Sequence, residues 1–169
     1  VFVAYASRCT DKEWLGDLVF KVNRSDDYGV RDTLVGCASD YLPDPVLRQL
    51  VKRFEKEAGK RSDEYAKRHW LLLVESLARQ LKDAPLFERT RIASWGSLST
   101  AACVDIARVY LESGDAQTAF VWLEKVPLSE SFMADERDAL FLAILEHLGD
   151  RAGMAETAWD MFMTRQMGS

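Results

Sequence analysis

The stretch that decides the fold occurs twice in the C-terminal half of the chain. Its first copy, residues 102–126, reads ACVDIARVYLESGDAQTAFVWLEKV, and its second, residues 138–166, reads DALFLAILEHLGDRAGMAETAWDMFMTRQ. In each copy a Gly-Asp pair separates two segments with helical periodicity, and the two glycines, at 114 and 149, are 35 residues apart. Glycine tolerates a positive φ just past a helix end, and aspartate caps the helix that follows. Each copy therefore predicts a helical hairpin.

The two copies share further landmarks besides the turn. Ala119 and Ala155 are small at points where facing helices must approach closely. Trp122 and Trp159 occupy related places, so we expect both to pack between hairpins. The repeat thus predicts two helical hairpins stacked side by side.

The first copy resembles the tetratricopeptide repeat, which has a period of about 34 residues. The positions that match this family's spacing are Ala107, Tyr110, Gly114, Ala119 and Leu123, with Pro127 near the family's closing proline. The second copy departs from the pattern, because it has one extra residue between Gly149 and Ala155 and no closing proline. The resemblance implies stacked helix pairs whose inner face binds a partner.

Outside the repeat the periodicity is helical almost throughout, and no alternating run is long enough to predict a strand. We expect Thr10, Asp44 and Ser62 to be helix N-caps, and a helix to span Tyr28 to Tyr41. The predicted fold class is all-α: a right-handed α-solenoid of stacked helical hairpins, of about nine helices, tetratricopeptide-like in its C-terminal half.

An earlier segment carries a second resemblance. Trp14-Leu15 followed by SDDYGVRDTL, residues 25–34, is similar to an uncharacterised bacterial family in which helical repeats follow this motif. Some members of that family have a SWIM-type zinc-binding domain upstream, but these 169 residues contain no such Cys/His cluster. The resemblance implies a bacterial protein with helical repeats and assigns no catalytic residue.

Composition is that of an ordinary globular domain, with 48 % hydrophobic and 29 % charged residues. We expect one all-helical domain over residues 1–169, with N-terminal helices in 1–85, tetratricopeptide-like hairpins in 86–169, and further residues before Val1 in a longer protein. No apolar run approaches the roughly 20 residues that cross a bilayer, and the N-terminus lacks the pattern of a signal peptide. The expected location is cytoplasmic, without membrane contact.

Positive charge is concentrated in the N-terminal half. Residues 1–85 hold 15 basic and 14 acidic residues, whereas residues 86–169 hold 7 and 13. Arg48, Lys52 and Lys56 recur every four residues and therefore form a basic stripe on one helix face. Such a stripe is usually a solvated surface, and the functional alternative is a contact of the segment 48–68 with an acidic partner or with the nucleic-acid backbone.

No residue pattern indicates catalysis, a cofactor or a metal site. The two histidines, His69 and His147, are far apart, and the three cysteines have neither a C-x-x-C spacing nor an even number. Asp26, Asp27 and Asp32 do not follow a calcium-loop pattern, so we interpret them as helix caps. We therefore predict no catalytic residue, no metal and no cofactor.

The leading hypothesis is a non-enzymatic interaction module that binds a peptide or protein segment on the inner solenoid face. The alternative is the helical part of a larger nucleic-acid-associated regulator that uses the basic stripe. Repeat geometry places the candidate partner contacts on the first helix of each hairpin: Asp105, Arg108, Glu112, Glu136, Arg137 and Phe141.

Overall fold

The structure is a computed structural model that describes residues 2–25, 32–96, 98–127 and 129–167, without the side chains at 158, 161, 162 and 164–167. In these ranges the chain is helical and contains no strand, which confirms the all-α prediction. The elements are α1 (Phe2–Arg8), α2 (Lys12–Arg24), α3 (Asp32–Gly36), a 3-10 turn (Ala38–Asp40), α4 (Asp44–Gly59), α5 (Glu64–Gln80), α6 (Ala84–Trp95), α7 (Thr100–Glu112), α8 (Ala116–Leu123), α9 (Ala134–Leu148) and α10 (Arg151–Met167).

Aspartates cap two helices where hydroxyl residues were expected. Asp11, not Thr10, is the N-cap of α2, and its carboxylate accepts from the backbone N–H three residues on at 2.9 Å. Asp63, not Ser62, caps α5 in the same way at 2.7 Å. At α4 the helix begins at Asp44 itself, so this residue is not the cap. In the first two cases the carboxylate directly after the hydroxyl residue makes the capping bond.

The predicted helix from Tyr28 to Tyr41 is shorter and interrupted. Residues 26–31 lie outside the described ranges, and the remainder forms α3 and the separate 3-10 turn. Two side chains donate hydrogen bonds to the carbonyl groups at the end of α3. The Tyr41 hydroxyl donates to Leu34 O at 2.5 Å, and Gln80 Nε2 donates to Val35 O at 2.8 Å. These bonds satisfy the helix end and tie it to α5.

The chain divides into two compact units, Val1–Gly96 and Ser97–Ser169. The first unit includes α6, which packs along α5. Within the first unit, α4 and α5 also pack along each other, α2 contacts α4, and α3 contacts α5. Helix α5 is therefore in contact with α3, α4 and α6.

An aromatic cluster forms the centre of the first unit. The rings of Phe20 on α2, Phe54 on α4 and Trp70 on α5 have centroids 5.6 to 6.4 Å apart. Phe54 is fully buried, and Leu47 and Leu77 are as well. The apolar side of α4 thus faces the core, which turns the opposite side of α4 towards solvent.

The second unit contains the two hairpins of the repeat. Helix α7 packs against α8, α9 packs against α10, and α9 also contacts α7 and α8. Gly114 and Gly149 have φ values of +92° and +73°, as the turn prediction requires. Asp115 and Asp150 accept hydrogen bonds from backbone N–H groups three residues on, at 3.0 and 2.8 Å. Both Gly-Asp turns are confirmed.

The landmarks of the two repeat copies differ in burial. Ala119 and Trp122 are buried, but Ala155 is exposed and Trp159 has 62 % of its surface accessible. The packing predicted for Trp122 is confirmed, and the same prediction for Trp159 is wrong. Helix α8 lies against both α7 and α9, whereas α10 packs chiefly against α9 within this unit.

Candidate partner-binding surfaces

Helix α4 is linked to α2 along one flank. Arg53 pairs with Asp17 of α2, and its guanidinium lies 3.9 Å from the centroid of the Phe20 ring. One helical turn earlier, Gln49 Nε2 donates to Glu13 Oε1 at 3.3 Å. These contacts hold the charged edge of α4 against its neighbour.

The opposite flank of α4 is linked to α6. Arg48 Nη1 lies 2.9 Å from Asp83 Oδ2, in the residue that caps α6. Arg89 Nη2 on α6 lies 2.7 Å from Glu55 Oε1. Two of the cations at this edge are therefore already paired with carboxylates of the same unit.

Lys52 and Lys56 lie between these two flanks and point away from the core. Both side chains are exposed, and neither ammonium group forms an ion pair within residues 2–25 and 32–96. The structure thus separates the predicted basic stripe into a paired member, Arg48, and two unpaired members. Lys52 and Lys56 form the outward lysine pair of α4.

The basic residues after the stripe neutralise a buried acid. Glu57 is only 5 % exposed and accepts a hydrogen bond from Lys60 Nζ at 2.6 Å. Arg61 Nη2 lies 3.9 Å from the other carboxylate oxygen. The bond from Lys60 lowers the pKa of Glu57 below its usual value. These two cations stabilise the end of α4, where the helix dipole disfavours a carboxylate.

Among the candidate contacts of the second unit, Arg137 is the one that is buried. Its side chain is 5 % exposed, and two of its nitrogens bond Asp138 Oδ1 at 2.9 and 2.7 Å. A third nitrogen donates to the carbonyl oxygens of Pro127 and Glu130 at 2.8 and 3.2 Å. Arg137 therefore holds the segment between α8 and α9, and we remove it from the candidate contacts.

The other five candidates lie on α7 and α9 with differing exposure. Arg108 Nη1 lies 3.8 Å from Asp105 Oδ1, and both residues are half-buried. Glu112 and Glu136 are exposed. Phe141 is half-buried, and its ring centroid is 5.3 Å from that of Phe120 on α8. Phe141 thus serves the packing of α9 on α8.

A groove between α9 and α10 was missed at the level of sequence. It has a volume of about 660 Å³ and is lined by Leu142, Glu146, Gly149, Arg151, Met154 and Ala155. Trp159 and Met163 are exposed four and eight residues after Ala155 on α10. The sequence feature that could have indicated this groove is the extra residue after Gly149, by which the second repeat copy departs from the first.

Arg68 and Trp95 form a second exposed aromatic feature, at the end of α6. The Arg68 guanidinium lies 4.6 Å from the Trp95 ring centroid, and its Nε donates to Ser94 O at 2.9 Å. Trp95 is 47 % exposed. A guanidinium stacked on indole is worth about 0.5–1 kcal/mol at an exposed site, so this contact steadies the ring.

The titratable side chains of the described ranges form isolated structural contacts. His69 Nδ1 lies 3.8 Å from Asp32 Oδ2, and His147 Nδ1 lies 2.9 Å from Ala143 O. Burial raises the pKa of the Cys103 thiol, which disfavours the reactive thiolate. Asp26 and Asp27 lie outside the described ranges. In the part of the chain that is described, no three His, Cys, Asp or Glu residues are grouped to hold a metal ion.

A scan against protein-family models, a search of curated proteins and a search of solved structures each returned no match. The resemblances to the tetratricopeptide repeat and to the bacterial family with the SDDYGVRDTL motif therefore stay predictions. Among the helices described, none combines the length and apolar character needed to span a bilayer.

Proposed function

We propose that this chain is a non-enzymatic interaction module of the helical-repeat class, similar to tetratricopeptide solenoids, that binds an acidic segment of a partner protein. Two features support the repeat interpretation. Within the first unit, α5 packs along both α4 and α6, and in the second unit each of the two hairpins has its own Gly-Asp turn. Proteins built this way bury a core between neighbouring repeats and use an extended surface for binding.

The outward lysine pair of α4 is the observation that carries the proposal. Lys52 and Lys56 are exposed in the C-terminal half of a helix whose flanks are both linked to neighbouring helices. The paired flanks restrain α4, so a partner that binds there has less conformational entropy to remove. Two adjacent unpaired cations favour a partner that presents carboxylates.

The two helices that flank α4 each carry an exposed apolar side chain. Trp14 on α2 is 56 % exposed, and Ile92 on α6 is 39 % exposed. Tryptophan is enriched among residues that dominate binding energy, while charges at the edge of an interface chiefly set specificity and association rate. The partner segment we propose therefore combines acidic residues with at least one apolar anchor.

The same geometry disfavours the nucleic-acid alternative. Asp17, Glu55 and Asp83 accompany the basic residues of α4 and α6, and each is paired with an arginine. Phosphates approaching the lysine pair would meet these carboxylates, and Arg48 would have to leave Asp83 to contribute. A nucleic-acid surface requires several cations free for phosphate.

Affinity capture with a charge-reversal variant tests the proposal. The immobilised chain is incubated with a lysate of the source organism, with and without nuclease treatment, at 50 and 200 mM salt, and the retained proteins are identified by mass spectrometry. We expect the wild type to retain a discrete protein that K52E/K56E loses. The control is K67E/K82E, which makes the same charge change at two lysines outside α4.

Two results would contradict the proposal. Retention of the same protein by K52E/K56E would show that α4 is not the binding surface. Binding that disappears with nuclease treatment, or falls by orders of magnitude between the two salt concentrations, would instead support contacts with phosphates.

A further inference from the structure

We propose that the groove between α9 and α10 is a self-association site, in which two copies of this chain pack these helices against each other around a two-fold axis. The groove belongs to the second unit, whereas the lysine pair of α4 belongs to the first. The inference therefore goes beyond the proposed function and does not depend on it.

The lining of the groove suits a protein surface better than a small polar ligand. Leu142, Met154 and Ala155 supply its apolar part, and Gly149 adds no side chain. Trp159 and Met163, exposed on α10 at successive four-residue steps after Ala155, continue the apolar surface along the helix. Contiguous exposed apolar surface of this kind marks an interaction site.

Charge complementarity indicates that the occupant is a second copy. The groove carries one acid, Glu146 at the end of α9, and one base, Arg151 at the start of α10. Both are exposed, and neither side chain is ion-paired within the described ranges of this unit. A two-fold axis places residue i of one copy opposite residue j of the other, and j opposite i. Glu146 of each copy can then pair with Arg151 of the other. The dimer therefore contains two equivalent ion pairs, which neutralise all four side chains.

The oligomeric state of the full 169-residue chain tests the inference. Sedimentation equilibrium from micromolar to several hundred micromolar protein should give a reversible monomer–dimer equilibrium for the wild type. E146R places two arginines opposite each other at both pairs, and R151E does the same with two glutamates. We expect each variant to weaken dimerisation about tenfold, since two rim pairs are lost and become repulsive. E156R, which makes the same charge change on α10 outside the groove lining, is the control and should dimerise as the wild type does.

Mixing the two single variants distinguishes a two-fold self-interface from any other occupant. In a mixture of E146R and R151E, both pairs join opposite charges again, so a heterodimer of wild-type strength should form. The double variant E146R/R151E should also regain dimerisation. Circular dichroism of each variant establishes that the helices are intact.

A wild type that is monomeric over the whole concentration range would overturn the inference. So would a dimer that E146R does not weaken, or a mixture of E146R and R151E that stays monomeric. The last two outcomes would point to another surface or to a different protein as the occupant of the groove. None of these results would alter the interpretation of the capture experiment with K52E/K56E.

Discussion

The two Gly-Asp hairpins of the second unit have closely similar turns and very different surroundings. Both turns have a glycine with positive φ and an aspartate that caps the next helix. After the first turn, Ala119 and Trp122 are buried, whereas after the second turn Ala155 and Trp159 are exposed. Local backbone chemistry therefore repeats with the sequence, while burial depends on which helices lie on either side.

Truncation of the two tryptophans should give the largest difference in stability between the two hairpins. W122A removes a buried ring from α8 and should lower the free energy of unfolding by about 3–5 kcal/mol. W159A removes an exposed ring and should cost less than about 1 kcal/mol. Urea titrations followed by circular dichroism measure both. Equal losses would show that α10 is as well packed as α8.

Enlarging Ala119 should also cost more stability than enlarging Ala155, but the difference should be smaller than that between the two tryptophans. Ala119 is fully buried, so A119L forces extra volume into a packed site and should cost about 1–3 kcal/mol. Ala155 lines the open groove, so A155L should change stability by no more than about 0.5 kcal/mol. Differential scanning calorimetry compares the variants. A destabilising A155L would mean that the groove is closed in solution.

Replacing the two turn glycines should destabilise the two hairpins equally, in contrast to the changes at the tryptophans and alanines. An alanine at Gly114 or Gly149 would adopt a left-handed conformation that costs about 1–2 kcal/mol, and nothing lies within 4 Å of the added methyl group at either position. We therefore expect G114A and G149A to lose similar stability in urea titrations. G59A, at an exposed helix end without a positive φ, is the control. A loss confined to G114A would show that the second turn contributes little to folding.

Acidification should weaken the first turn slightly. The backbone and hydroxyl of Thr118 both donate to the Asp115 carboxylate, and these bonds lower its pKa. A lowered pKa in the folded state means that the stabilisation is complete above the ordinary value of about 3.9 and is lost as the pH falls through the folded value. The wild type should therefore exceed D115N in stability by a few tenths of a kcal/mol at pH 7, and this difference should vanish near pH 2.

The variant T118V provides the check on that mechanism. It removes the hydroxyl donor and keeps the backbone donor, so it should reduce the pH-dependent part of the difference without abolishing it. Urea midpoints at pH 7, 5 and 3 give the comparison. A difference between wild type and D115N that stays constant with pH would contradict an ionised cap.

Helix positions were predictable because their signals are local. The Gly-Asp turns at 114–115 and 149–150 depend on residues within one or two helical turns of each other. The errors at Thr10 and Ser62 arose where a hydroxyl and a carboxylate stand side by side. Either can accept the capping bond, and the backbone conformation selects one of them.

The candidate surfaces were less predictable because they depend on neighbours distant in sequence. The stripe Arg48, Lys52 and Lys56 has a helical spacing that sequence shows, but the pairing of Arg48 depends on Asp83, which the fold brings across from α6. Arg137 was expected at the surface, and it is buried because Asp138 and the carbonyl groups before α9 surround it. Periodicity indicates which face of a helix is polar, and it does not indicate which polar groups already have partners.

The sequence by itself determined the all-helical fold in the described ranges and the two Gly-Asp turns. These features follow from propensity, capping and the 3.6-residue period, which act within a few residues. Only the tertiary structure decided that Trp122 is buried while Trp159 is exposed, that Arg48 is paired while Lys52 and Lys56 are not, and that a groove opens beside α10. Burial and pairing depend on which surfaces meet across long sequence separations, and no local pattern encodes that.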